Sequence, residues 1–157
     1  MINNSIEYYC GPFTKGVIQN IYAGNKNLYN PVFFYGDIQS TSTICKSIAE
    51  YYINSGRKVT WITADEYSKM LIDALMFRKL NDFRAMLFPC DILIVENVEA
   101  LSGRISTQEE FYYLFDQVFE SGSQIVLTSL VTPGLIYLLE DRVRTQLQAG
   151  ICCHIDE

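Results

Sequence analysis

The sequence predicts one α/β domain built on a parallel sheet. Three observations carry this. Short apolar runs recur along 157 residues, most of them bounded by Gly, Pro or charged residues, as buried strands are. Between them lie segments whose apolar residues repeat at helical spacing. Strands that alternate with helices are joined by crossovers, which gives a three-layer, doubly wound α/β sandwich with both sheet faces covered.

The first thirty residues are polar and rich in Asn and Tyr, and they suggest no element. PVFFYG, residues 31–36, reads as the first strand. Ile44, Ile48, Tyr51 and Tyr52 then place a helix over 43–55, ended by Gly56. VTWIT, 59–63, is the second strand, with Trp61 expected in the core. Asp65 reads as the N-cap of a helix through Met70, Leu71, Ala74 and Leu75. A shorter helix over Leu80–Leu87 stops before Pro89. DILIVE, 91–96, is the third strand. Thr107 and Glu110 have capping-box spacing for a helix to Glu120, whose apolar face is Phe111, Leu114, Phe115 and Val118. QIVLTS, 124–129, is the fourth strand. A helix over 140–147 and a strand over Ile151–Ile155 complete the set of five strands.

Composition narrows the function. Hydrophobic residues at 49% and charged residues at 19% fit a folded globule rather than a disordered chain. No apolar run approaches the roughly 20 residues of a membrane span. The first ten residues, MINNSIEYYC, lack the basic-then-apolar order of an export signal, so a cytoplasmic location is expected. Twelve basic against eighteen acidic residues leave a net charge of −6, which argues against a duplex-DNA binder. The five cysteines, Cys10, Cys45, Cys90, Cys152 and Cys153, contain no C-x-x-C pair. They read as reduced, small apolar residues rather than metal ligands. His154 is the only histidine and has no nucleophile partner at a suggestive spacing. The tyrosine pairs Tyr8–Tyr9 and Tyr112–Tyr113 suit an interface where they are exposed.

Ligands of such sheets bind at the carboxyl ends of the strands. The first strand is followed by GDIQSTST, residues 36–43, at the position of a phosphate-binding loop, G-x-x-x-x-G-K-[ST]. Gly36 and Thr43 match that pattern, with Asp37, Ile38, Gln39 and Ser40 as spacer. Thr41 stands at the second glycine and Ser42 at the lysine. A Cβ at the second glycine obstructs closure of the amides on a phosphate. Each charge-assisted hydrogen bond contributes about 1.5–3 kcal/mol. Micromolar binding amounts to about 8 kcal/mol, so such losses move affinity towards millimolar. Asp37 adds a negative charge beside the site. The amides of residues 38–43 would still suit an anion at a helix N-terminus. The third strand ends in Glu96-Asn97, where a metal-binding acidic pair would stand, and Asn97 has no carboxylate.

YNPVFFYG (29–36), DILIVENVEALSG (91–103), TQEEFYYLFDQVFESGSQIVLTS (107–129) and LEDRVRTQLQAG (139–150) together resemble the AAA+ (P-loop NTPase) domain of the bacterial replication initiator DnaA. The likeness runs in order and with similar spacing from about Tyr9. It implies a P-loop NTPase/AAA+ core with strand order 5-1-4-3-2. The departures fall where the family handles nucleotide. Its loop typically reads GGVGLGKT, against GDIQSTST here. Its acidic pair is Asp-Asp, against Glu96-Asn97. After the fourth strand it tends to have Ser and an acid, against Ser129-Leu130. Its arginine finger, worth roughly 10³–10⁵ in rate, lies in a Ser-Arg pair, against Thr145-Gln146. The resemblance ends at the fifth strand, so a single domain over 1–157 is expected, without helical lid or C-terminal duplex-DNA reader.

The resemblance also places Arg142 at an inter-subunit face, although pairing with Glu140 explains it equally well. Residues 57–84 resemble the family's single-strand-contacting helices. They hold six of the twelve basic residues against four acids, with Arg78, Lys79 and Arg84 as candidate contacts. A solvated amphipathic helix accounts for the same charges. The expected function is a non-catalytic, DnaA-like module acting by protein–protein contact in the control of replication initiation. DnaA or another replication protein is the expected partner, self-association is open, and no cofactor or metal is expected. The alternatives are a weak ATP/ADP switch using Gly36, Thr43 and Glu96, or a single-stranded-DNA accessory protein.

Overall fold

A computed structural model describes residues 10–24 and 28–156. Tyr8 and Tyr9 lie outside them. In chain order the elements are α1 (Pro12–Ala23), β1 (Val32–Gly36), α2 (Ile38–Asn54), β2 (Val59–Thr63), α3 (Ala64–Met76) and α4 (Leu80–Leu87). There follow β3 (Ile92–Glu96), α5 (Ile105–Glu120), β4 (Gln124–Ser129), α6 (Asp141–Gln148) and β5 (Ile151–Ile155). Short 3-10 turns lie at Val98–Leu101 and Pro133–Leu135. All strand pairs are parallel, and the sheet order is β2-β3-β4-β1-β5. That is the expected order read from the other edge.

Alternation along the central strands makes three layers. Phe33, Leu93, Val95, Ile125 and Leu127 face α3, α4, α5 and α6, where Tyr67, Phe83, Phe111, Phe115 and Val143 complete one core. Val32, Phe34, Ile92, Ile94 and Val126 face the other way, against Val17, Ile18 and Ile21 of α1 and Ile44, Ile48 and Tyr52 of α2. The apolar face expected of α5, Phe111, Leu114, Phe115 and Val118, is buried throughout.

Five expectations need correction. The polar N-terminal region contains α1, which buries Thr14, Val17, Ile18 and Ile21, with Pro12 in its first turn and Gly24 left-handed after its end. α2 begins at Ile38, not at 43. Thr63, not Asp65, caps α3: its hydroxyl accepts the Glu66 N–H at 3.1 Å, and the Glu66 carboxylate accepts the Thr63 N–H at 3.1 Å. Asp65 instead pairs with Lys69 and Arg104. The Thr107–Glu110 capping box does not form, because α5 starts three residues earlier, with Arg104 at its N-cap. Thr107 is buried and accepts the Ser68 hydroxyl at 3.2 Å, while Glu110 pairs with Arg84. Trp61 is 43% exposed rather than core. Of the cysteines, Cys10, Cys45, Cys90 and Cys153 are buried and Cys152 is exposed, so the adjacent pair does split across β5. Among the described residues no helix is long and apolar enough to cross a membrane.

Candidate functional site

The segment read as a phosphate loop is the start of a helix. Gly36 ends β1 with φ +133°, and a Cβ there would lie 2.1 Å from the carbonyl oxygen of Ile155 on β5. The backbone therefore requires this glycine whether or not anything binds. The Asp37 N–H donates to the same Ile155 carbonyl at 3.2 Å. Asp37 then caps α2, and its carboxylate accepts both the backbone N–H and the hydroxyl of Ser40, each at 2.7 Å. These bonds hold the Asp37 carboxyl below its ordinary pKa.

Nothing in residues 37–55 interrupts the helix, since neither Gly nor Pro occurs there. The Thr41 N–H donates to the Asp37 carbonyl at 3.0 Å. The Thr41 hydroxyl donates to the Ile38 carbonyl at 3.1 Å, and that of Thr43 to the Gln39 carbonyl at 2.9 Å. Ile38 and Gln39 are exposed and Ser42 is half-buried. At this helix N-terminus the chain's own Asp37 carboxylate is the group that accepts the Ser40 N–H.

Glu96 ends β3 and is buried. Its Oε2 accepts the Trp61 indole N–H at 2.6 Å, across the β2–β3 pair. Trp61 lies on β2, the edge strand of the sheet. Burial, with the charge of Glu96 added, pushes the Cys45 thiol of α2 well up. Asn97 adopts the left-handed conformation, φ 58° and ψ 50°, which Asn tolerates better than most residues, and its N–H donates to the Thr128 hydroxyl at 3.0 Å. Ser129 accepts the Val131 N–H at 3.2 Å, and Leu130 is exposed. Among the described residues no group of three or more His, Cys, Asp or Glu could hold a metal ion.

Trp61→Phe removes the indole donor and leaves a buried carboxylate oxygen unpaired, so it is expected to destabilise by about 1–3 kcal/mol. Adding Glu96→Gln should recover part of that loss, which a double-mutant cycle of chemical denaturation measures.

The α6 residues turn inward or onto their own neighbours. Gln146, at the arginine-finger position, is 7% exposed. Its amide donates to the Tyr112 carbonyl at 2.9 Å and to Asp116 at 3.0 Å. It braces α6 on α5. Arg142 pairs with Glu140 at 3.0 Å and lies 4.4 Å from the Tyr112 ring centroid. Arg144 donates to the Pro133 carbonyl and, at 3.0 Å, to that of Ile136.

The candidate single-strand residues divide. Arg84 is held by Glu110 through two bonds of 2.6 and 3.0 Å. Arg78 and Lys79 are exposed in the turn between α3 and α4, with no carboxylate partner among the described residues.

Sequence reasoning missed Gln108. It is fully buried. Its amide donates to the carbonyls of Leu101 at 2.7 Å and Leu138 at 2.9 Å, and its Oε1 accepts the Glu140 N–H at 2.8 Å. One side chain thereby fixes the segment after β3, the segment after β4 and the start of α6.

Residues 6–154 match the family described as the bacterial DnaA ATPase domain. The chain is 30% identical over 154 residues to the chromosomal replication initiator DnaA of Geobacter sulfurreducens, covering 94% of this chain and 35% of that protein. It is 32% identical over 130 residues to the DnaA of Thermomicrobium roseum, covering 81% and 28%. The chain thus spans about a third of the length of these relatives. Among solved structures, the AMPPCP-bound DnaA of Aquifex aeolicus superposes with a TM-score of 0.89 at 26% identity, over 94% of this chain and 48% of that one. Domain III of the Thermotoga maritima DnaA superposes with a TM-score of 0.88 at 26% identity, over 99% and 69%.

Proposed function

The chain belongs to the family of bacterial DnaA ATPase domains, and on that premise we propose that it is a non-catalytic member which acts by protein contact in replication initiation. The observation that carries the reading is the Asp37 carboxylate on the Ser40 amide at the start of α2. A phosphate approaching this helix meets a negative charge already bonded to the backbone that would receive it. No lysine stands at Ser42 to offset that charge. Ordinary nucleotide phosphates therefore do not fit residues 36–43 as they are folded.

Other positions support the same reading. The Glu96 carboxylate is engaged by Trp61. Gln146 carries no charge and points into the α5 interface. The scaffold around these positions is intact, with an apolar core on each sheet face. A fold kept while its nucleotide contacts are replaced is one used for its surface. The partner proposed is an authentic DnaA or another replication protein, and the surface formed by exposed Arg142 and Tyr113 with half-buried Tyr112, on α5 and α6, is the proposed contact face.

Isothermal titration with Mg-ATP and with ADP tests the nucleotide half of the proposal. The expected result is no heat, and no thermal shift, up to millimolar ligand. Micromolar binding would overturn it and make a nucleotide switch the leading reading. Binding to purified DnaA from the same cell, lost in Arg142→Glu, tests the contact half.

A further inference from the structure

The C-terminal half of α3 is apolar on both sides. Leu71 and Ala74 face the core. Ile72, Leu75 and Met76 are exposed at the one-turn spacing that sets them side by side, and Phe77 follows at the helix end. Met76 and Phe77 are 70% and 68% exposed. In residues 71–77 only Asp73 carries a charge. A surface helix turns polar residues outward, whereas one that is apolar all round belongs under a cover.

The chain leaves α3 through Arg78, whose φ is +55°. The Lys79 N–H donates to the Ala74 carbonyl at 2.8 Å, the bond of a Schellman end, whose left-handed position favours glycine. An arginine there is less stable than a glycine. Its guanidinium, like the Lys79 ammonium, is exposed and has no carboxylate partner among the described residues. Two unpaired cations therefore stand at one end of an uncovered apolar face.

We propose that this face of α3 docks an amphipathic helix of a partner protein whose carboxylates lie at one end. The apolar side of that helix covers Ile72, Leu75, Met76 and Phe77, and its acidic end meets Arg78 and Lys79. Charge complementarity sets the sign of the partner. The layout sets its class. A nucleic acid carries a charge on every nucleotide, so its backbone would also pass Asp73, whereas a peptide places carboxylates only where cations wait. Single strands stack their bases on aromatic or guanidinium planes. Three of the four apolar side chains here are aliphatic or thioether, which suits a helix face packed into them. This surface belongs to α3, so the inference rests neither on the Arg142 face of α5 and α6 nor on the nucleotide reading.

The probe is a synthetic peptide of about 18 residues, long enough to hold a helix alone. It has leucines along one face, glutamates in its first two turns, and alanine and glutamine elsewhere. Titrated into the labelled protein, it should shift the amide NMR signals of residues 72–79. Exchanging its glutamates for lysines should weaken binding about fivefold or more, and added salt should narrow that difference. Scattering the leucines around the helix should weaken it about tenfold.

Ile72→Gln combined with Met76→Gln changes two exposed helix positions. It should weaken binding about tenfold or more and leave the melting temperature nearly unchanged. Arg78→Gly separates binding from folding. The free variant should melt at the same temperature or higher, because glycine suits the left-handed position, yet bind the glutamate peptide about two- to fivefold more weakly. A labelled oligothymidylate should not displace the peptide. No shift at millimolar peptide, shifts confined to another surface, equal binding of the lysine peptide, or displacement by oligothymidylate would each overturn the proposal. So would a clearly lower melting temperature in Arg78→Gly, since the arginine would then serve the fold.

Discussion

Gly36→Ala is expected to unfold the protein or lower its melting temperature by about 6–12 °C, the shift that about 3 kcal/mol produces in a domain of this size. Two penalties act together. The φ of +133° is one that an L side chain rarely adopts. The new Cβ would also meet the Ile155 carbonyl oxygen at 2.1 Å, and that atom belongs to the backbone of a neighbouring strand. A side chain could swing away, but a strand held in register by β1 cannot. Gly16→Ala in α1 is the control. Nothing lies within 4 Å of a Cβ there, so a neutral or slightly higher melting temperature is expected. A Gly36→Ala variant that melts within a degree or two of the parent would refute this account of the glycine.

Gln108→Leu has the second large effect. Leucine fills similar space but returns no hydrogen bond. The carbonyls of Leu101 and Leu138 and the N–H of Glu140 all lose their Gln108 partner. Each unsatisfied buried group costs about 1–3 kcal/mol, so a total near 3 kcal/mol or more is expected. Gln108→Glu separates shape from chemistry, because it can still accept from Glu140 but cannot donate to the two carbonyls. It also buries a carboxylate against the Leu101 and Leu138 carbonyls, so at neutral pH it should be at least as destabilising as Gln108→Leu in denaturant melts, and it should recover as the pH falls and the carboxyl protonates.

The strands were legible because each is a short apolar run with clear borders, and a parallel sheet buried on both faces needs little else. Helix beginnings were harder. Thr107 and Glu110 have capping-box spacing, yet Thr107 is buried against Ser68 and the true box is Thr63 with Glu66. The spacing was informative, but only the packing decides which candidate is free to cap. α1 was hidden by the polar residues around it, although Pro12 and Gly24 marked its ends.

In the candidate site, the individual losses could be read against a motif: no lysine at Ser42 and no second glycine at Thr41. Their joint consequence could not. An eight-residue pattern does not announce that its spacer has become helix. Asp37 looked like a charge added to a binding loop, whereas it is the cap that turns the loop into α2. Trp61 and Glu96 are far apart in sequence, so neither predicted that one would hold the other. Gln108 is similar: two of its three partners, Leu138 and Glu140, lie 30 and 32 residues further along the chain.

The placement of β1 between β4 and β5 also bears on how the chain reaches this state. β1 is the first strand to be synthesised, and both of its neighbours come from the far half of the chain. On the ribosome it has no strand to pair with until residues 124–129 have emerged, and its second edge stays open until residues 151–155 follow. Early folding is therefore restricted to α1, α2 and the β2–β3 region, and the centre of the sheet is assembled late. Pairing across such long stretches is slow, and it leaves the apolar VFFY of β1 uncovered on its edges during that interval. The middle of the finished sheet is the part of the nascent chain most in need of protection from aggregation.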